Sequence, residues 1–283
     1  MKRLRPLLVV SLVLVVCVAL VLAAGCGRNA DYYTKRANEF LRQGDIDKAV
    51  DQFERAVKAE PNNYEAQNSL GTALAMRGDF VRAIEHFRSA VRLKEGFVEG
   101  HYNLGRAMTE TGDYKAAIAQ FKRVIELDST YALAYLSAGS VFLKADMADN
   151  AIDAYKAALR LDPSMLQAYM SLASAYVGLK NYDEALSTLA AARTLKPRNA
   201  ELVSMAGRAA MLKRDFPKAI GLLEESVNLD RQNPVPRNDL ATALMLAGRK
   251  SEAIDQWEQI LAMNPEPGLK DAVEKNLARA RTE

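Results

Sequence analysis

One alanine returns seven times at a fixed spacing of 34 residues: Ala49, Ala83, Ala117, Ala151, Ala185, Ala219 and Ala253. No insertion or deletion is needed anywhere between residues 30 and 267. A spacing this strict requires seven segments that fold alike and bury their apolar sides against one another, so the chain is a linear stack rather than a globule. The other columns of the frame agree. Position 8 is always small (Ala37, Gly71, Gly105, Gly139, Ala173, Gly207, Ala241), and position 24 is large (Phe53, Phe87, Phe121, Tyr155, Leu189, Leu223, Trp257). Position 27 is compact, running from Ala56 to Ile260, and position 32 is proline at Pro61, Pro163, Pro197 and Pro265.

Each segment reads as a helical hairpin. Leu70, Gly71 and Leu74 share one helical face, and Ala83, Phe87, Ala90 and Val91 share another. Small residues at positions 8 and 20 let the two helices approach, and the bulky residue at 24 fills the hole beside them. Gly44-Asp45, Gly78-Asp79 and Gly112-Asp113 supply the turn: glycine for a left-handed residue, aspartate to cap the next helix. The fourth segment offers Ala145-Asp146-Met147 instead, and Pro217 falls where a helix start tolerates it. After residue 267, Leu269, Ala272, Val273, Leu277 and Ala280 mark an apolar stripe suited to covering the last segment's core.

These columns resemble the tetratricopeptide repeat over residues 30–267. The resemblance implies an all-α, right-handed superhelical solenoid of seven hairpins. Residues 268–283 form its C-terminal capping helix.

The N-terminus carries a second signal. Lys2, Arg3 and Arg5 precede an uncharged run from Leu7 to Ala24, followed by Gly25 and Cys26. A basic start, an apolar stretch and small residues at a cut site describe a secretory leader. The ending resembles a bacterial lipoprotein box, although Ala23 stands where that family most often has leucine. The resemblance implies a signal peptide over 1–25, lipidation at Cys26 and a tether over 26–29. Gly27, in place of an aspartate, leans toward the outer membrane. The alternative is a retained anchor, since 18 residues of helix extend roughly 27 Å. Both place the array in the cell envelope, facing the periplasm.

Loss of residues 1–25 would remove Lys2, Arg3 and Arg5 and no acid from a chain of 38 basic and 35 acidic residues, leaving it formally neutral. No basic field for nucleic acid would remain. Of the two cysteines, Cys17 lies in the apolar run and Cys26 at the cut, so the repeats need no disulfide. The only histidines, His86 and His101, fall at packed positions of the frame, and no metalloprotease, paired-cysteine or P-loop pattern occurs. The expectation is no enzyme, no metal, no cofactor and no small-molecule substrate.

What remains is a surface. In tetratricopeptide arrays the concave wall is lined chiefly by first helices at positions 2, 5, 9, 12 and 13. The polar candidates there are Asn68, Tyr102 and Arg106, with Asn103 beside them. Further along, the same register turns apolar with Leu136, Met170, Val177, Met211, Leu212, Met245 and Leu246, interleaved with Arg208. Apolar side chains at such positions suit a partner's helix or extended segment, and methionine suits varied partners. The competing reading is that neighbouring helices cover them. A two-carboxylate clamp for acidic C-termini is not expected: Asn103 has the right type, but Asn68, Thr72, Leu133 and Ser137 stand where the clamp needs its other members. The expected function is a membrane-anchored scaffold that binds envelope proteins or peptides. It is similar to the repeat lipoproteins of type IV pilus assembly, and beyond those to ones serving polysaccharide export or peptidoglycan enzyme control. A holdase for exported chains is the alternative.

Overall fold

A computed structural model describes residues 29–282. The leader, Cys17, Cys26 and Gly27 lie outside the described residues. Every described element is a helix. The first, α1, covers 29–42. It is followed by α2 (Ile46–Ala59), α3 (Tyr64–Met76), α4 (Phe80–Leu93), α5 (Val98–Glu110), α6 (Tyr114–Leu127), α7 (Ala132–Lys144) and α8 (Ala148–Leu161). Then come α9 (Leu166–Gly178), α10 (Tyr182–Leu195), α11 (Ala200–Leu212), α12 (Phe216–Leu229), α13 (Pro234–Leu246), α14 (Lys250–Ala262) and α15 (Pro267–Thr282). Residues up to Val141 make one compact unit, and residues from Phe142 make another. In the first, α3 packs on α4, α4 on α5 and α5 on α6; in the second, successive helices pack in the same way from α8 to α15.

The columns read from the sequence are the core. Each of the seven alanines at position 20 is fully buried, and every residue at position 24 is buried, from Phe53 to Trp257. Contact between positions 8 and 24 explains the glycines. A Cβ added at Gly71 would lie 2.7 Å from Phe87 Cε1, and one at Gly207 would lie 2.6 Å from Leu223 Cγ. No side chain fits there without pushing its neighbour aside.

The turn is more uniform than its sequence. Position 15 takes a positive φ in all seven repeats: Gly44, Gly78, Gly112 and Gly248, but also Asp146 (57°), Lys180 (62°) and Arg214 (68°). The hairpin therefore imposes a left-handed residue whether or not glycine is available. Caps follow the expected chemistry where the residue permits. Asp45, Asp79, Asp113 and Asp215 each accept a hydrogen bond from a backbone N–H three residues on, whereas Met147 and Arg249 stand at cap positions without such a bond. In α15, Val273, Leu277 and Ala280 are buried, so it covers the end of the second unit. Ala272 is exposed, which makes the buried stripe narrower than the apolar one.

Candidate partner-binding face

The first helices of the repeats carry the candidate residues, and burial sorts them. In the first unit Asn68 is buried on α3, with both ends of its side-chain amide hydrogen-bonded. Asn68 Nδ2 donates to Glu99 Oε1 at 3.2 Å, and Asn68 Oδ1 accepts from Asn103 Nδ2 at 3.1 Å. This ladder ties α3 to α5, so Asn68 holds the face together rather than offering groups to a partner. Tyr102 and Asn103 are half-buried and Arg106 is exposed on α5. The Tyr102 hydroxyl is 3.2 Å from Ser137 Oγ, and the Arg106 guanidinium sits 6.0 Å from the Tyr102 ring centroid. Among the described residues Arg106 makes no ion pair. Leu136 on α7 is half-buried, while Leu133 of the same helix is half-exposed.

Arg106 and Asn103 border a recess of about 250 Å³, which also takes in Thr72, Met76, Phe80, Phe87 and Glu110. Met76 is 54% exposed, as open as any apolar residue of the second unit. Position 13 marks it as a face residue, yet the polar neighbours of the first three repeats hide it in a reading by composition.

In the second unit Met170, Val177, Met211 and Met245 are half-buried, whereas Leu212 and Leu246 are 49% and 53% exposed. Position 12 is half covered, as is Met170 at position 5, whereas the leucines at position 13 stand open. A second recess, of about 380 Å³, is lined by Thr242, Met245, Leu246, Trp257, Asn276, Arg279 and Ala280. Its frame positions 9, 12, 13 and 24 are those of Thr72, Ala75, Met76 and Phe87 in the first recess, so one notch of the hairpin is used in both units. Trp257 forms the floor, held by its Nε1 donating to Asn238 Oδ1 at 3.1 Å.

On the second unit's face the charge includes a pair between α11 and α13. Arg208, exposed on α11, places its Nε 3.7 Å from Asp239 Oδ2 of α13. That oxygen is buried without a hydrogen-bond partner, and burial pushes the Asp239 carboxyl above its ordinary range while Arg208 draws it back. Both histidines are held by glutamine side chains. His86 Nδ1 lies 2.8 Å from Gln67 Oε1, and burial, with Arg82 nearby, lowers its pKa. His101 is held by Gln120 Oε1 at 2.8 Å and by the Glu95 carbonyl at 3.0 Å. Among the described residues no three His, Cys, Asp or Glu side chains come together as a metal site, and no helix is long and apolar enough to cross a membrane.

Family models for the tetratricopeptide repeat match residues 34–96 and 142–209, and a TPR repeat model matches 105–146. This chain belongs to the tetratricopeptide-repeat proteins. Among solved relatives of this repeat protein, MamA is 32% identical over 58% of this chain and 96% of its own, with a TM-score of 0.55. YrrB, described as a TPR protein with an unusual peptide-binding site, is 20% identical over 63% of this chain and 92% of its own, with a TM-score of 0.54. PilF of Pseudomonas aeruginosa is 18% identical over 73% and 94%, with a TM-score of 0.60; at that identity the likeness is one of fold. No curated protein matches the repeat chain. Tetratricopeptide arrays are scaffolds for protein and peptide partners.

Proposed function

We propose that the chain is a lipid-anchored adaptor of the bacterial cell envelope, which holds partner proteins against its first-helix face in the assembly of a pilus or secretion complex. The observation that carries the binding role is the open position 13 on α11 and α13. Leu212 and Leu246 stand half-exposed beside Met211 and Met245, with a Trp257-floored recess next to Leu246. Exposed leucines in a notch large enough for a side chain are unfavourable in water and gain by accepting an apolar group from a partner. The envelope setting rests on the leader and Cys26, and the pilus setting on the likeness of a short tether followed at once by an unbroken array. Anchoring would raise the local concentration of bound partners near the membrane.

Crosslinking in cells, followed by identification of the attached proteins, tests this reading. Replacing Met170, Met211 and Leu246 together with glutamate should abolish the specific crosslinks and leave the helical circular dichroism unchanged. Unchanged crosslinks would overturn the assignment of the face. Protection of unrelated unfolded proteins from aggregation would assign a holdase instead. Cys26→Ser should move the chain out of the membrane fraction.

A further inference from the structure

The first helices of repeats two to seven bury frame positions 3, 7 and 10. At position 7 these are Leu70, Leu104, Ala138, Leu172, Ala206 and Leu240, all buried. Positions 3 and 10 carry pairs such as Ala66 and Ala73, or Leu202 and Ala209, equally buried. This side receives the second helix of the preceding repeat: a Cβ at Gly100, position 3 of its repeat, would meet Val91 of α4 at 3.1 Å. In α1 the same three positions hold Tyr32, Arg36 and Glu39, all exposed, with Tyr32 at 55%.

The replacement is more specific than a generic polar cap. Arg36 Nη1 donates to Tyr32 Oη at 3.2 Å, Tyr32 meets Tyr33 edge-on at 5.5 Å, and the Arg36 guanidinium lies 5.6 Å from the Phe40 ring centroid. Lys35 is exposed beside them. An amphipathic aromatic with a guanidinium and an ammonium is the chemistry of the interface between lipid headgroups and acyl chains. The tether is short: Cys26 precedes Tyr32 by six positions, and even a fully extended link of that length reaches only about 20 Å. The acids nearby are Asp31, which precedes Tyr32, and Glu39, which sits about one turn beyond Arg36 at the end of α1 away from Cys26.

We propose that this face of α1 rests on the lipid headgroups of the membrane that holds Cys26, with Tyr32 seated at the interface and Arg36 on a lipid phosphate. The inference rests on the reading of Cys26 as the lipidated residue. It adds a second point of attachment to the one at Cys26, which fixes the direction in which the first repeat faces.

The sequence provides a clean probe, because its only cysteines are Cys17 and Cys26. The full chain, purified from membranes and reconstituted in phosphatidylethanolamine–phosphatidylglycerol vesicles, would carry one fluorophore through Lys35→Cys or, as a control on α4, Glu85→Cys. A lipid with a nitroxide headgroup should quench most of the signal at position 35 and little at position 85. Tyr32→Glu with Arg36→Glu should abolish the difference while the chain stays on the vesicle and keeps its helicity. Equal quenching at the two sites, or quenching at 35 that survives the double substitution, would overturn the proposal. A doubled particle mass in detergent, reversed by the same substitutions, would assign the face to a second copy and also overturn it. Mass spectrometry separates the two levels. An acylated Cys26 with unchanged quenching sinks only the docking face, whereas a Cys26 without acyl chains sinks the anchor reading and this inference together.

Discussion

The two compact units bury the same frame positions, each in its own core, and differ in what their first helices present. In the first, the side chains between α3 and α5 are joined by Asn68, Glu99 and Asn103, and the recess beside them carries Arg106 and Glu110 around a single open methionine, Met76. In the second, the equivalent notch is built from Met245, Leu246 and Trp257. The frame positions are the same, so the contrast lies in side chains and not in backbone. A repeat separates two demands on its residues. Positions 8, 20 and 24 are committed to packing, and positions 5, 9 and 13 are free to differ from one repeat to the next.

The sharpest test of that separation compares a packing column with a face column. Trp257→Ala should cost about 3–5 kcal/mol in urea denaturation, because it leaves a cavity under α13 and α15. Leu246→Glu, eleven positions earlier in the same repeat, should change stability by no more than about 0.5 kcal/mol, as substitutions at open positions do. A large loss at Leu246 would mean that the second unit's apolar face is ordinary packing, and the contrast between units would vanish. The turns give a smaller effect of opposite sign in the two units. Lys180→Gly and Arg214→Gly should each raise stability by up to about 1 kcal/mol by relieving a left-handed side chain, whereas Gly78→Ala should lower it by a similar amount. Thermal denaturation of the three single variants would show it, and a common sign would refute the imposed turn.

The smallest effect is electrostatic. The Asp239 carboxyl has a folded pKa above its unfolded one, so its contribution to stability is present below the unfolded value and is lost as pH rises through the folded one. At neutral pH the buried charge is therefore a net cost, and Asp239→Asn should raise the melting temperature there. The advantage should disappear in acid, below the ordinary aspartate range near about 3.9. A variant less stable than the parent at neutral pH would mean that the Arg208 contact outweighs burial.

Much of this is legible in the sequence itself. The frame located the helices, the alanine and aromatic columns located the core, and Gly-Asp pairs located turns, because close packing leaves few residue types acceptable at those points. Less was legible on the face. The side chain of Asn68 gives no sign that Asn103 and Glu99 will engage both ends of its amide, since those partners lie in the next repeat. Met76 was hidden by polar neighbours, and nothing in lysine or arginine announces the left-handed backbone at Lys180 and Arg214. Coverage of position 12 but not 13 is a matter of how neighbouring helices cross, which a one-dimensional pattern does not record.

The last helix has a double duty with a practical outcome. The same sixteen residues that pack beside Trp257 also provide Asn276, Arg279 and Ala280 as one wall of a notch. Carboxyl-terminal trimming, whether by a protease or in an expression plasmid, would therefore bare a tryptophan to water and erase the recess in one stroke. Any loss of ligand capture by such a shortened chain would arrive together with clumping.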